Sequence, residues 1–318
     1  MTTTSSAEQS DASAPAGAST APSWLPLAAV GVTLLLWASA FVAIRHLAGS
    51  FSAGSLSLGR LLVGSVCLGA VALSRGLPRP TRGQWVSIVT IGVLWFGIYN
   101  VALNAGEQDV DAGTAVMLIQ VSPVLVALLA ALFLHERFTA YLAIGLALAF
   151  GGVALIATAS GDSGEDRSVL GVVLCLLAAV VYSVSLVLQK PLVARLPAIH
   201  VTWLACTVGA VVCLPFVGRL VDDTRDASAS DVWWVVYLGV FPTAIAFTTF
   251  AYALRTMSAS SLGVTTYLVP PITIVMGWLL LDETPPRMAY VGGVLALVGV
   301  AVARRKPRTV AVEPGPPR

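Results

Sequence analysis

Charged side chains are scarce in this sequence. Asp, Glu, Lys and Arg together make up 11% of the 318 residues, whereas soluble domains contain about 25%. Hydrophobic residues make up 57% of the chain. Their apolar surface is larger than a globular protein in water can bury. The shortage of charge therefore excludes an ordinary soluble domain. The net charge of only +2 argues against a nucleic-acid partner. Because the chain is so apolar, we expect lipid to be its main solvent.

Histidine, cysteine and nucleotide-binding motifs are equally sparse. The three histidines fall near the ends of apolar runs, and no pair of cysteines has the spacing of a metal site. The sequence has neither a Walker loop nor a G-x-G-x-x-G run. We therefore predict no catalytic residue, no metal and no cofactor. The four cysteines lie inside apolar stretches, where we expect simple packing: Cys67, Cys175, Cys206 and Cys213.

Long apolar runs dominate what remains. About 20 mainly apolar residues are needed to cross a bilayer as a helix. Runs of this length are far too long for barrel strands, and only helices or closed barrels satisfy the backbone in lipid. The sequence thus predicts an all-α integral membrane protein with ten transmembrane helices. The predicted spans are 24–46, 55–74, 84–105, 112–134, 140–159, 169–190, 199–218, 232–254, 261–281 and 287–303.

The two ends of the chain predict its orientation. Residues 1–23 are rich in Ser, Thr and Ala and contain no Lys or Arg, so we expect a disordered cytoplasmic tail rather than a secretory signal. Residues 304–318 form a basic tail. Most Lys and Arg residues fall in predicted loops on the same side as these tails, which the positive-inside rule makes cytoplasmic.

The sequence contains an internal repeat. A shift of 147 residues aligns 112–154 with 259–301 without a gap, and upstream residues align more weakly at a shift of 145. We predict two five-helix repeats at 24–159 and 169–303, joined by an external loop at 160–168. Because five is odd, the second repeat is inverted, as in many secondary transporters. The matched pairs include Pro123/Pro270, Glu136/Glu283, Gly145/Gly292, Gly152/Gly299 and Arg45/Lys190.

Three stretches carry a resemblance to a known family. LLWASAFVAIRHL at 34–46, and the helix–Glu–helix stretches at 112–156 and 259–303, resemble the EamA-type repeats of the drug/metabolite transporter superfamily. The resemblance implies ten spans, cytoplasmic termini, a bacterial inner-membrane location, and export of amino acids, other metabolites or toxic compounds. Glu136 and Glu283 match the recurrent acidic position of the family. The second repeat departs from the pattern by placing Pro285-Pro286 just after that position.

Matching prolines point to a substrate site between the repeats. Pro123, Pro270 and Pro271 lie near the middle of their predicted spans, where they should kink the helices and free backbone carbonyls. A packing kink without ligand contact is the alternative. Polar side chains nearby predict a hydrogen-bonding cavity, although bonds between helices would also explain them. The candidate substrate-binding residues are Trp37, Arg60, Tyr99, Asn100, Asn104, Gln120, Tyr182, Thr266 and Tyr267.

Charged residues within or beside the spans are few. Arg60 lies inside the second span and either snorkels to the surface or offers its fork to a carboxylate. Glu136 and Glu283 follow spans four and nine, where they would cap the next helix or gate the site. No Asp or Glu falls in the centre of a predicted span. We therefore predict facilitated diffusion, exchange, or coupling through groups nearer the surface.

These features favour a secondary transporter working by alternating access. We predict export of an amino acid, a related metabolite or a toxic compound, with drug and sugar-type transport as alternatives. An integral membrane enzyme acting on a lipid-like substrate is a further alternative, for which the acidic cluster at 107–111 is the nearest candidate. We expect that cluster to be solvated on the outside. The expected partners are a small molecule and the lipid bilayer, without nucleic acid; the oligomeric state is left open.

Overall fold

The fold was analysed in a computed structural model that describes residues 24–77, 79–133, 140–161, 166–193, 195–256 and 265–303. These residues form helices and turns, with no strand among them. The helices are α1 (Leu25–Leu47), α2 (Ala53–Leu73), α3 (Arg82–Ile91, Gly92–Tyr99, Asn100–Asp109), α4 (Ala112–Ile119, Ser122–Phe133), α5 (Ala140–Gly161), α6 (Asp166–Val193), α7 (Ala198–Val212, Leu214–Phe216, Val217–Asp226), α8 (Ala229–Leu238, Gly239–Ile245, Ala246–Thr256), α9 (Thr266–Leu268, Val269–Leu281) and α10 (Arg287–Ala303).

The predicted all-helical membrane fold is confirmed. Helices α1, α2, α3, α6 and α8 each contain a stretch long and apolar enough to cross a bilayer, and α7 adds a pair of helices bent by 51°. Helices α4, α5, α9 and α10 occupy the other predicted positions with shorter apolar stretches in the part of the chain that is described. The number of ten complete crossings therefore stays a prediction.

Short polar N-caps explain how the helices begin after tight connections. Ser52 accepts a hydrogen bond from the Ser55 backbone at the start of α2, and Asp111 accepts one of 2.8 Å from the Thr114 backbone at the start of α4. Each cap satisfies a backbone N–H group that the first turn leaves without a partner. The connections between α1 and α2 and between α3 and α4 therefore need only a few residues.

Glycines that match in the repeat bring α5 and α10 into backbone contact. A methyl group added at Gly299 would lie 2.6 Å from the Gly145 carbonyl oxygen. One added at Gly152 would collide in the same way with the Gly292 carbonyl oxygen. Each glycine of one matched pair thus packs against a member of the other pair. This reciprocal contact is what a two-fold relation between repeats produces, and it explains why these positions hold no side chain.

A pair of π-helical segments also follows the repeat. Gly92–Tyr99 lies within α3 and Gly239–Ile245 within α8, and their first residues are separated by the same 147-residue shift. Both starting glycines are in close contact, since a methyl group at Gly92 would lie 2.8 Å from the Ala205 carbonyl oxygen. A π-helix widens the backbone and changes which carbonyls are bonded, and it occurs often at functional sites. The sequence analysis did not predict these segments.

Candidate functional site

A cavity of about 130 Å³ lies between the two repeats. Helices α1 to α4 supply its walls from the first repeat, and α6, α8 and α9 supply them from the second. Helices α5 and α10 pack against each other away from it. Predicted site residues that line the cavity are Trp37, Arg60, Tyr99, Asn100, Gln120, Pro123, Tyr182 and Thr266.

Other predicted residues lie elsewhere. The cavity lining does not include Asn104, Pro270, Pro271 or Glu283. Glu136 and the side chain of Tyr267 lie outside the described part of the structure. Asn104 instead donates a hydrogen bond of 2.8 Å from Nδ2 to Ser57 Oγ, which joins α3 to α2 beside the cavity. The structure thus brings together most, but not all, of the predicted set.

Aromatic rings form much of the cavity wall. Trp95 packs with its ring centroid 5.3 Å from that of Tyr182 and 5.3 Å from that of Phe247. The ring centroid of Trp37 lies 5.8 Å from that of Phe247. Ring faces and edges at these separations favour offset and edge-to-face contacts. The wall is therefore apolar and rigid, and suits an uncharged side chain of a ligand.

Sequence reasoning missed several lining residues because they belong to the π-helical segments or their flanks. Pro242 carried a usable signal, since it lies inside the predicted eighth span, as Pro123 lies inside the fourth. Its removal of a backbone donor is compatible with the altered bonding of the π-helix. The missed lining residues in these segments and their flanks are Trp95, Phe96, Pro242, Thr243 and Phe247.

Arg60 is the cation of the cavity. Its side chain is 8% exposed, so it does not snorkel to the surface. It donates a hydrogen bond of 3.3 Å from Nη2 to Thr243 Oγ1, and its Nε has no partner among the described residues. Thr243 Oγ1 in turn donates to the Leu238 carbonyl within the π-helical region. A guanidinium with unused donors facing a cavity is suited to bind a carboxylate through two parallel hydrogen bonds.

The helix breaks at the cavity differ from the predicted kinks. Helix α4 is interrupted at Gln120 and Val121, and its second part begins at Ser122, directly before Pro123. In α9 a 3₁₀ turn precedes Val269, directly before Pro270. Pro123 and Pro270 therefore lie just after a break between two helical segments, rather than at a bend within one helix. The prolines occupy the first turn of a new helix, where the missing N–H group has no intrahelical partner to lose.

Polar side chains at these irregular segments also have structural tasks. Gln120 Nε2 donates a hydrogen bond of 3.2 Å to the Thr266 carbonyl, which joins α4 of the first repeat to α9 of the second. Asn100 Nδ2 donates hydrogen bonds to the carbonyls of Trp95 and Phe96 in the π-helical segment, at 3.2 and 3.0 Å. These contacts hold the backbone open at the cavity while keeping its carbonyls satisfied.

An ion pair closes the bundle at one end, which we call the Arg45 end. Arg45 Nε lies 2.9 Å from Glu283 Oε1, and the two side chains are 26% and 31% exposed. Arg45 Nη1 also donates to the backbone carbonyls of Glu107 and Gln108 at 3.0 and 3.1 Å. The first and last parts of the chain thus meet at the C-terminus of α3, where a cation is also favoured by the helix dipole.

The acidic cluster 107–111 is not a solvated loop throughout, so that prediction is wrong for Glu107. Helix α3 continues through Asp109, and Glu107 is 0% exposed. Neither of its carboxylate oxygens has a hydrogen-bond partner among the residues that the structure describes. Asp111 is the N-cap residue of α4 and accepts a hydrogen bond of 2.6 Å from Thr114 Oγ1. The extra helical turn, which polar residues concealed in the hydropathy pattern, buries the Glu107 side chain.

Comparison with known proteins places this architecture in a family. The profile of the EamA-like transporter family matches residues 24–158 and again residues 169–305, which together cover most of the chain. A crystal structure of another protein has a TM-score of 0.59 over 88% of this chain and 96% of that chain. At 22% identity, this likeness shows the fold alone.

Individual relatives carry transporter names. The "Probable terminal-alkyne amino-acid exporter" of Streptantibioticus cattleyicolor is 39% identical over 87% of this chain and 93% of its own length. The "Uncharacterized transporter YdfC" of Bacillus subtilis is 32% identical over 83% of this chain and 86% of its own length. An "Uncharacterized transporter" of Archaeoglobus fulgidus is 28% identical over 69% of this chain and 77% of its own length.

Proposed function

The chain belongs to the EamA-like transporter family, and from this premise we propose that it exports a small amino acid or related carboxylate across the cytoplasmic membrane. Membership identifies a multi-pass membrane transporter of a small molecule and not an enzyme. The lipid-modifying alternative is thereby set aside. The substrate and direction belong to the proposal, as do the bacterial inner membrane and cytoplasmic termini.

The environment of Arg60 is the main support for a carboxylate substrate. Arg60 is buried, lines the cavity, and its Nε has no partner in the part of the chain that is described. Burying a charge is costly unless another group compensates it, and a substrate carboxylate provides that compensation. The aromatic wall around Trp95 then suits the apolar side chain of the same molecule. A neutral sugar would leave the guanidinium without a counter-charge, so it fits this cavity less well.

The named relative supports both substrate class and direction. The name of the Streptantibioticus cattleyicolor protein gives an amino acid as cargo and export as direction. At 39% identity over nearly its whole length, the two chains share their architecture closely enough for this to guide the proposal. Alternating access supplies the mechanism, because two inverted repeats around a central site can exchange their conformations.

Mass spectrometry of culture medium and cell extract tests the proposed function. Cells expressing the chain are compared with cells carrying an empty vector and with cells expressing Arg60→Met at the same membrane level. In cells that express the parent chain, an amino acid or related carboxylate should be enriched in the medium and depleted inside. Cells with the empty vector or with Arg60→Met should not show this change. Enrichment of neutral compounds or cations alone would contradict the proposed substrate class, and accumulation inside the cell would contradict export.

Glu283 is proposed to gate the cavity through its ion pair with Arg45. A partly exposed pair contributes about 0.2–1 kcal/mol, so Glu283→Gln should raise the open fraction at the Arg45 end by up to about fivefold. Ile44 lines the cavity and is 1% exposed, so Ile44→Cys can report this opening. The measurement is the rate of labelling by a membrane-impermeant thiol reagent, after subtracting the rate of the parent chain.

Asp282 provides the matched control for this gate. It neighbours Glu283 but is exposed, and it ends α9 in a left-handed conformation. Asparagine also adopts that conformation, so Asp282→Asn removes a nearby charge without disturbing the backbone. This control should leave labelling of Ile44→Cys unchanged. Equal labelling in the parent and Glu283→Gln backgrounds, from either membrane face, would refute the gate.

A further inference from the structure

Glu107 is a buried carboxylate for which the transport site described above gives no role. Its side chain is 0% exposed, and within the described ranges of the chain both oxygens lack a hydrogen-bond partner. We propose that Glu107 binds and releases one proton in each transport cycle, so that transport is coupled to proton movement. This proposal rests on the transporter family of the chain, and is independent of the substrate and the direction of export proposed above.

Glu107 lies at the end of a polar track that starts at the cavity. Asn100, Asn104 and Glu107 recur at helical spacing and therefore share one face of α3. Asn100 lines the cavity, and Asn104 is bonded to Ser57 on α2. Asn104 Oδ1 is a further buried atom for which the described residues offer no partner. The track thus contains acceptors that a proton or a transient water can use on the way to the cavity.

Desolvation determines the protonation state of Glu107 in the closed conformation. An ionised carboxylate that is buried without a partner costs several kcal/mol, and the neutral acid avoids most of this cost. Opening at the Arg45 end would admit water to the carboxylate and allow it to ionise. The closed conformation therefore holds more protons than the open one. By linkage, raising the pH must favour the open conformation.

Charged and titratable side chains from several packed helices surround Glu107. Those described are Arg45 on α1, Arg60 on α2, Tyr99 on α3 itself, Asp111 before α4, Cys175 on α6 and Glu283 after α9.

Neither arginine among these groups forms an ion pair with Glu107 in this conformation. Arg45 Nε is held by Glu283, and Arg60 Nη2 is held by Thr243. Arg45 nevertheless bonds the Glu107 backbone carbonyl, so it lies close to both glutamates. When the pair with Glu283 breaks, Arg45 can stabilise the newly ionised Glu107. Deprotonation and opening then favour each other.

Infrared spectroscopy of the purified, reconstituted chain tests the protonation state directly. A protonated carboxylic acid has a carbonyl stretch separate from that of a carboxylate. At neutral pH the parent spectrum should contain one acid band that Glu107→Gln removes and that Asp109→Asn retains. Asp109 is a matched control because it lies on the same helix and is partly exposed. No acid band lost in Glu107→Gln would overturn the proposal.

The Ile44→Cys reporter tests whether this proton controls the conformation. Labelling is measured across a range of pH without substrate, and is normalised to Gly218→Cys, an exposed position with open space around it. Opening at the Arg45 end should rise with pH by up to about tenfold per pH unit, the limit for one proton.

In Glu107→Gln the labelling should stay low and independent of pH, whereas Asp109→Asn should behave like the parent. A pH response that survives in Glu107→Gln would assign the proton to another group and refute the proposal. Because no substrate is present, this failure is distinguishable from failure of the proposed amino-acid export.

Discussion

Replacing Arg60 by methionine is expected to weaken substrate binding by about 10- to 100-fold while leaving the chain as stable as the parent or more so. A hydrogen bond to a charged group contributes about 1.5–3 kcal/mol, which corresponds to this change in the dissociation constant. The protein itself gains little from the guanidinium, whose hydrogen bond to described residues is a long one of 3.3 Å to Thr243. Replacing a buried charge by a well-packed apolar side chain is often neutral or stabilising.

This combination separates a binding role from a structural one. Binding is measured by the thermal shift that the exported amino acid produces in the purified chain, and stability by the melting temperature without ligand. Arg60→Lys should give an intermediate affinity, because an ammonium keeps the charge but loses the planar fork. Arg75→Met is the matched control, since Arg75 lies exposed after α2. Lost stability with unchanged affinity in Arg60→Met would contradict the proposed carboxylate site.

Apolar periodicity and repeats made much of this fold predictable. Length and hydropathy located the helices because crossing lipid imposes a minimum apolar run. The repeat was visible through Pro, Glu and Gly, whose roles depend on backbone geometry rather than on general hydrophobicity. Gly152 and Gly299 are good examples, because backbone contact tolerates no side chain at either. The predicted cavity residues Trp37, Arg60 and Tyr182 followed from the scarcity of polar and aromatic groups in the relevant spans.

Other features depend on contacts between distant residues, which hydropathy does not encode. The pair Arg45–Glu283 joins positions 238 residues apart. To predict the burial of Glu107, one would need to know that α3 continues for a further turn. One would also need to know that α6 packs there, with its Cys175 against Gly106 of α3. The π-helical segments were hidden for a different reason. Their residues are as apolar as those of an ordinary span, and only Pro242 disturbs the pattern.

Gly152→Ala is expected to destabilise the chain by about 1–3 kcal/mol, the usual cost of inserting a methyl group into a well-packed interior. The added methyl would collide with the Gly292 carbonyl and would lie 2.7 Å from the Ala296 backbone nitrogen. Backbone atoms have no rotamer to change, so α5 and α10 must move apart. Because α10 contacts α5 through the equivalent residue of its own repeat, Gly299→Ala should produce a loss of similar size.

The adjacent Gly151 makes this prediction sharp. A methyl group there would meet only Leu295 Cδ2, at an ordinary distance of 3.8 Å. Gly151→Ala should therefore be neutral or stabilise the chain by up to about 1 kcal/mol, because alanine is the better helix former. Melting temperatures of the three variants, followed by helical circular dichroism in one detergent, provide the measurement. Equal effects at Gly151 and Gly152 would mean that helix propensity, and not contact between the repeats, determines stability at this seam.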